Sequence, residues 1–219
     1  MIVPSLDEFR SLARGGKLVP IYREVFADHD TPVSAFRKID DGGDAFLLES
    51  VEGGEKWGRY SLLGARPSLT FVASGERCEV RRGERVTRCE RHPMIELAEL
   101  LEAHQAVPLP GLPRFCGGAV GYLGYDAVRW FERLPSQAKD EFPVPDAILM
   151  FGDVVSVFDN LTHTLKVVTH ARGGSDAGER DRRDAEDLPG SNAGCGRPRP
   201  QAATRLCRAG FGARDAPGV

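Results

Sequence analysis

The stretch AILMFGDVVSVFDNLTHTLKVVTH, residues 147–170, indicates the fold class most clearly. Residues 147–158 form an apolar and β-branched run, and residues 164–170 form a second one. Val, Ile, Phe and Thr favour strands, whereas Asp-Asn at 159–160 is typical of a turn. The stretch therefore predicts two strands that fold back on each other as a β-meander.

Similar short strands are predicted along the rest of the chain, at 17–26, 45–50, 60–63, 68–74, 77–81, 85–89 and 117–122. Helices are predicted at 5–14, 31–39, 93–104 and 126–132. Ser5 with Glu8 has the spacing of a capping box, and Thr31-Pro32 places proline at a helix start. Strands in hairpins with interspersed helices predict an α+β fold with mainly antiparallel sheets, not a doubly wound parallel sheet.

Composition excludes several classes of protein. A net charge of -3 and a pI near 6.0 argue against a nucleic-acid binder. The five cysteines lack C-x-x-C spacing, which predicts neither a disulfide framework nor a zinc site and fits a reducing cytoplasm. No apolar run approaches the roughly 20 residues of a membrane span, and the N-terminus lacks a signal-peptide core. We therefore expect a cytoplasmic protein with no membrane partner.

The composition changes after His170, which predicts one domain over 1–170 and a low-complexity tail over 171–219. Arg, Gly, Ala and Pro supply most of that tail, so it has little apolar surface to offset the entropy of ordering. Three interpretations stay open: a natural disordered tail, an out-of-frame translation of a G/C-rich gene, and a charged helix around 176–188.

No catalytic residue and no metal site is predicted. The chain has no P-loop, G-x-G-x-x-G, H-E-x-x-H or G-x-S-x-G motif. The glycines at 117, 118, 121 and 124 lack the phosphate-binding lysine of a P-loop, so they favour a strand with close backbone packing.

The segment LLESVEGGEKWGRYS, residues 47–61, is the best candidate for a binding site. Its loop brings together the carboxylate of Glu49, the hydroxyl of Ser50 and the guanidinium of Arg59. Such a set suits an α-amino acid, whose ammonium needs acceptors and whose carboxylate needs donors. The alternative is a strand–loop–strand in which Trp57 and Tyr60 only pack.

Two runs of the sequence resemble component I, the large subunit, of anthranilate synthase. They are LLESVEGGEKWGRYSLLGARP at 47–67 and FCGGAVGYLGYDAVRWFERLP at 115–135. The second run is also similar to aminodeoxychorismate synthase, whereas the first is closer to anthranilate synthase. The resemblance covers about residues 5–170 and implies the N-terminal part of the large-subunit fold.

The resemblance also implies a function. The family converts chorismate to anthranilate and pyruvate with Mg2+, takes ammonia from a glutamine amidotransferase subunit, and is inhibited by L-tryptophan. Carried over to this chain, it implies Ser50 as the effector contact with Leu48 and Glu49 beside it. Arg59 and Tyr60 are further candidates for the effector site, and Asp126 and Arg129 of the second run are expected to be architectural.

The family's chorismate- and Mg2+-binding residues lie in a C-terminal region that this chain is expected not to reach. We therefore expect an N-terminal regulatory portion of anthranilate synthase that binds no cofactor itself and is inactive alone. One alternative is a stand-alone tryptophan-binding module. Another is a fragment of aminodeoxychorismate synthase component I, against which the stretch WGRYS at 57–61 argues.

Overall fold

A computed structural model describes residues 2–49, 58–135 and 144–173. These residues form two compact units. The first contains the described parts of 1–66, 106–117 and the chain from 153 onward, and the second contains those of 67–105 and 118–152.

The first unit is built on a six-stranded antiparallel sheet in the order β1-β2-β11-β10-β4-β3. Its strands are β1 (Ile2–Val3), β2 (Leu18–Phe26), β3 (Ala45–Leu48), β4 (Tyr60–Ala65), β10 (Val154–Asp159) and β11 (Thr164–Arg172). Two helices belong to this unit, α1 (Leu6–Leu12) and α2 (Pro32–Ile39).

The two faces of this sheet are covered by different segments. On one face, Ala35 and Ile39 of α2 pack with Leu63 and Phe158, and Phe9 of α1 packs with other strand residues. On the opposite face, apolar side chains of residues 106–117 pack against Val155, Val157 and Val168. Because both faces are covered, the central strands β10 and β11 are buried almost along their whole length, as their continuous apolar runs require.

The second unit has a five-stranded antiparallel sheet in the order β7-β6-β5-β9-β8. Its strands are β5 (Leu69–Ser74), β6 (Arg77–Arg82), β7 (Arg85–Arg88), β8 (Ala119–Leu123) and β9 (Ala147–Phe151). Helix α3 (Pro93–Ala103) packs Leu97 and Leu100 on one face of the sheet, against Phe71 and Phe151 among others. A 3-10 helix, Tyr125–Trp130, follows β8.

Asp126 and Arg129 form an ion pair within this short helix. Nε of Arg129 donates to Oδ1 of Asp126 at 2.8 Å, and Nη1 donates to the backbone carbonyl of Leu134 at 3.0 Å. Trp130 anchors the helix to the sheet, because its Nε1 donates to the carbonyl of Gly75 at 2.7 Å. Both ends of the Asp126–Arg129 pair are thus used inside the chain, in line with the architectural role expected for them.

The α+β prediction is confirmed, since every paired strand is antiparallel and the helices are interspersed. The predicted helix starts are also confirmed: Ser5 and Glu8 form a capping box, and Thr31 caps α2 with Pro32 in its first turn. These helix starts could be predicted from the sequence because each depends on residues within one turn of the helix.

One strand prediction is wrong. The run 147–158, expected as a single strand, is two strands, β9 and β10, which belong to different sheets. The chain leaves the five-stranded sheet at Gly152-Asp153, two residues that are disfavoured in strands, and enters the six-stranded sheet at β10. Apolar content on both sides of this pair hid the break.

The glycines at 117 and 121 allow close packing, as predicted. A Cβ at Gly121 would overlap the backbone of Ile148 on the neighbouring strand β9, and a Cβ at Gly117 would overlap the His170 ring. Neither position can accept a side chain without displacing its neighbour. These glycines therefore serve packing within each unit rather than an anion cradle.

The predicted tail lies outside the described residues from 174 onward, so the boundary near residue 171 stays a prediction. Within the described ranges, no helix is long and apolar enough to cross a membrane.

Candidate functional site

The predicted binding segment connects β3 to β4 at the edge of the six-stranded sheet. Leu48, the last residue of β3, is opposite Leu62 of β4 and is 46% exposed. Glu49 follows it and is exposed. Ser50, the principal predicted effector contact, lies outside the described residues together with 51–57. The structure therefore places the two strands that hold the loop, but not the loop itself.

Arg59, at the end of the loop, is bound to a buried carboxylate. Its Nη2 donates to Oδ2 of Asp159 at 2.7 Å, and its Nε lies 3.1 and 3.0 Å from the two carboxylate oxygens. The Asp159 side chain is 1% exposed and the Arg59 side chain 37%. The pair joins the start of β4 to the end of β10, two positions that are neighbours in the sheet register.

Asp159 also shapes the turn between β10 and β11. Its Oδ1 accepts hydrogen bonds from the backbone amides of Leu161 and Thr162, at 3.1 and 3.4 Å. Burial raises the pKa of Asp159, but the hydrogen bonds from Arg59 and from these amides outweigh it, so that its pKa lies below the ordinary value. The carboxylate is therefore ionised at neutral pH and holds Arg59 as its counterion.

Asn160 adds a second link between this turn and the end of the loop. Its Nδ2 donates to the carbonyl of Gly58 at 3.2 Å and to Oγ of Ser61 at 3.1 Å, and its backbone amide donates to the carbonyl of Arg59 at 2.8 Å. These three contacts, to Gly58, Arg59 and Ser61, fix the path by which the chain enters β4.

Tyr60 begins β4 and is half-buried. Its ring packs with the apolar cluster that contains Val157 and Leu62, and the Arg59 guanidinium carbon lies 5.0 Å from the ring centroid. Strand alternation places Tyr60 and Leu62 on the same face as Leu48, the partner of Leu62. Tyr60 and Leu62 belong to the apolar cluster that residues 106–117 cover, whereas Leu48 is exposed beside the loop.

The predicted site residues thus divide into two groups. Leu48 and Tyr60 lie on one face of the β3–β4 pair, and Glu49 extends from the end of β3 into solvent. The Arg59 guanidinium is hydrogen-bonded to the Asp159 carboxylate, so Arg59 anchors the start of β4 in the fold. Whether any of these residues binds an effector stays a prediction.

Two further charged residues lie on the same sheet and were not predicted from the sequence. Nζ of Lys166 is 3.0 Å from Oε1 of Glu24, its direct partner across β11 and β2, although Lys166 is only 8% exposed. Burial raises the pKa of Glu24, and the hydrogen bonds from Lys166 and Thr164 outweigh it and lower the pKa. A lysine inside an otherwise apolar strand run, LKVVT at 165–169, was the available signal for a buried lysine with an acidic partner.

A metal site is not formed by the described residues, because no group of three or more His, Cys, Asp or Glu side chains among them could hold an ion. The Mg2+ that the resemblance implies has no candidate ligand set in the part of the chain that the structure describes.

Comparison with known proteins gives a consistent family. Anthranilate synthase component 1 of Acetivibrio thermocellus is 38% identical over 171 residues, which cover 78% of this chain and 35% of that protein. The Pseudomonas aeruginosa protein of the same name is 40% identical over 172 residues, covering 75% and 35%. No family model matches the chain.

The crystal structure of anthranilate synthase component I from Streptococcus pneumoniae TIGR4 is 22% identical, with a TM-score of 0.46 over 82% of this chain and 38% of that one. These sequence matches name the same family that the resemblance of the runs at 47–67 and 115–135 implied. The chain is therefore related over about three quarters of its length to proteins named anthranilate synthase component 1, and it spans about one third of the length of the curated relatives it matches.

Proposed function

We propose that this chain is the N-terminal regulatory portion of an anthranilate synthase large subunit, in tryptophan biosynthesis in the cytoplasm. The complete enzyme would convert chorismate, with ammonia derived from glutamine, to anthranilate and pyruvate. This portion would carry part of the tryptophan feedback site and no catalytic residue. The sequence relationship to proteins named anthranilate synthase component 1 carries the proposal.

The geometry of the β3–β4 segment supports the regulatory part of the proposal. Leu47 and Leu48 of the LLES sequence end β3, and Arg59 and Gly58, at the start of β4, are hydrogen-bonded to Asp159 and Asn160. A loop held at both ends loses less conformational entropy when it binds a ligand than a free loop does. An effector contact from Ser50, with Glu49 for the ammonium and Leu48 and Tyr60 beside the indole, fits this arrangement.

The proposed partners follow from the same assignment. L-tryptophan would be the inhibitor, and a glutamine amidotransferase subunit would supply ammonia to the complete enzyme. Mg2+ would act with chorismate in the region of the family that this chain does not span, so the chain itself would hold no cofactor.

Catalytic inactivity is tested by supplying the purified chain with chorismate, ammonium and Mg2+ and measuring anthranilate fluorescence. We expect no anthranilate above the rate without protein. A complete relative, such as the Acetivibrio thermocellus protein, serves as the positive control. Turnover by the chain alone would show that it carries catalytic residues and would overturn this part of the proposal.

Tryptophan binding is tested by titration calorimetry. We expect weak binding, because the chain would carry only part of the pocket and would leave the indole partly exposed, and burial of an aromatic side chain contributes roughly 1.5–3 kcal/mol, or one to two decades of affinity. Micromolar binding that is lost in Ser50→Ala would instead identify a stand-alone tryptophan-binding module.

A further inference from the structure

Two cysteines lie opposite each other at the open end of the β6–β7 hairpin. The strand register pairs Glu79 with Arg88, and its continuation pairs Cys78 with Cys89. The backbone amide of Cys89 donates to the carbonyl of Cys78 at 2.9 Å, so the two residues form a hydrogen-bonded pair. Because directly opposite residues share one face of a sheet, their thiols are neighbours, and a hydrogen bond joins them.

The spacing of such a pair suits a disulfide bond. The α carbons of a hydrogen-bonded pair lie about 5.5 Å apart, and disulfides join residues whose α carbons are roughly 4.4–6.8 Å apart. The β carbons must approach, from about 4.5–5.5 Å in an open pair to about 3.5–4.5 Å in a disulfide. Strand β7 lies at the edge of its sheet and pairs with β6 on one side, so its end can make this approach without displacing a second strand.

The two thiols differ in their access to solvent. Cys78 is 5% exposed and packs with Val80 and Leu97 in the core of the second unit. Cys89 is half-buried and lines a cleft of about 360 Å³, a volume within the range of small-molecule sites. We call this space the Cys89 cleft. A reagent that enters it meets Cys89 first, and Cys78 second.

The charges of the Cys89 cleft favour an anionic ligand. Its charged lining residues are Arg82, Arg88, Arg91, Glu90 and Glu96. Nη2 of Arg91 lies 3.2 Å from Oε2 of Glu96, so these two charges offset each other. Arg82 and Arg88 are in no ion pair with any residue that the structure describes, which leaves two cations against the carboxylate of Glu90. Such an excess of positive charge attracts small anions.

We propose that Cys78 and Cys89 are a site of reversible oxidation, at which an anionic low-molecular-weight disulfide enters the Cys89 cleft and leaves a disulfide bond between β6 and the end of β7. The Cys89 thiolate attacks one sulfur of the reagent, which forms a mixed disulfide and releases one reagent thiolate. The Cys78 thiolate then attacks the sulfur of Cys89 and releases the second. Two protein thiols are thereby oxidised, one reagent disulfide is reduced to two thiols, and the two protons from the cysteines pass to the leaving thiolates.

The surroundings of the thiols set the rates of these two steps. Burial and the hydrogen bond with Cys89 raise the pKa of Cys78 to about 12, and burial also raises the pKa of Cys89. The first attack is therefore slow at neutral pH, because few thiols are ionised. The second attack takes place within one molecule, where proximity replaces a bimolecular encounter. The mixed disulfide should therefore convert to the disulfide between the strands rather than accumulate.

The test treats the full 219-residue chain with glutathione disulfide, at about pH 8.5 so that a larger fraction of the thiols is ionised. The reaction is stopped with acid, remaining thiols are blocked in acidic urea, and tryptic peptides are analysed by mass spectrometry without reduction. We expect the peptides 78–81 and 89–91 to be joined by a disulfide bond that dithiothreitol cleaves.

Variants separate the roles of the two cysteines and of the cleft. Cys78→Ser should stop at the mixed disulfide and retain glutathione on Cys89, whereas Cys89→Ser should leave Cys78 reduced. Arg88→Gln should slow the first step by about threefold or more. Arg85→Gln is the matched control, because Arg85 is on the same strand but does not line the cleft, and it should leave the rate unchanged. Cystamine, a cationic disulfide, should react more slowly than glutathione disulfide when each rate is divided by that of the chain unfolded in urea.

The peptide map of the wild-type chain decides the inference even if a serine variant fails to fold. Absence of the joined peptides once the reaction has reached equilibrium would overturn it, and so would linkage of Cys89 to Cys116, Cys195 or Cys207 in their place. Equal slowing in the two arginine variants, or a faster relative rate with cystamine, would overturn the assignment of the cleft to an anionic reagent.

Discussion

Replacement of Asp159 by Asn tests the anchor of the candidate loop. The amide oxygen of Asn can still accept from the backbone of Leu161 and Thr162, but the negative charge that binds Arg59 is gone. The substitution therefore removes the ion pair while keeping the shape of the side chain and its turn.

The expected cost follows from the contacts. Hydrogen bonds to charged groups contribute roughly 1.5–3 kcal/mol, and an acceptor that is buried cannot exchange its partner for water. Asp159 is 1% exposed, but Arg59 is 37% exposed and regains part of its hydration when the pair is broken. We expect Asp159→Asn to lower the free energy of unfolding by about 2 kcal/mol, which corresponds to about 4–8 °C in melting temperature for a chain of this size.

The assay is urea unfolding followed by circular dichroism, with hydrogen exchange of β10 and β11 to report on the first unit. Asp126→Asn is the control, because the Asp126–Arg129 pair is exposed, with side chains 56% and 38% accessible. Exposed pairs contribute about 0.2–1 kcal/mol, so the control should have a small effect.

The pH dependence gives a second check. The pKa of Asp159 is lowered in the folded chain, so the stability it contributes is present above the unfolded pKa, near 3.9, and is lost as the pH falls through the folded pKa. The difference between wild type and Asp159→Asn should therefore be complete above about pH 5 and should shrink below about pH 4. Equal stability of the two proteins at pH 7, or a difference that persists unchanged in acid, would refute the reasoning.

Three further substitutions or reactions test the packing. Gly64→Ala places a Cβ 2.5 Å from Cε1 of Phe46 and should cost about 1–3 kcal/mol in unfolding experiments, whereas Gly43→Ala in an exposed turn should cost much less; equal effects would contradict the predicted overlap. Cys78 should resist iodoacetamide at pH 8 until urea is added, because burial and a hydrogen bond with Cys89 raise its pKa to about 12; mass spectrometry of labelled peptides would reveal rapid labelling if this is wrong. Ser5→Ala should lower stability by about 1 kcal/mol through loss of the α1 cap, and unchanged hydrogen exchange in α1 would argue against it.

Features that depend on neighbouring residues were predictable from the sequence. The caps at Ser5 and Thr31, the hairpin between β6 and β7 and the α+β class all depend on residues a few positions apart or on the alternation within one strand. Glycine at 121 was also predicted to serve close packing, and the backbone of Ile148 occupies the space a side chain would need.

Features that depend on distant residues were not. Arg59 has the chemistry to bind either a ligand carboxylate or a protein carboxylate, and nothing local distinguishes the two. Its partner, Asp159, lies 100 residues away and was interpreted only as a turn residue. The break at Gly152-Asp153 was hidden for a similar reason, because sheet membership is decided by which strands lie alongside β9 and β10.

The proposed tryptophan site lies where β3 ends at Leu48 and the chain continues through Glu49 and Ser50. Its most direct test is a titration of L-tryptophan into the isotope-labelled chain, observed by NMR, which detects millimolar binding. We predict shifts in the amides of Leu48, Glu49, Arg59 and Tyr60, with a dissociation constant about one to two decades weaker than that of a complete site, and smaller shifts in Ser50→Ala. No shifts in these amides at millimolar tryptophan, or the same shifts in Ser50→Ala, would contradict it.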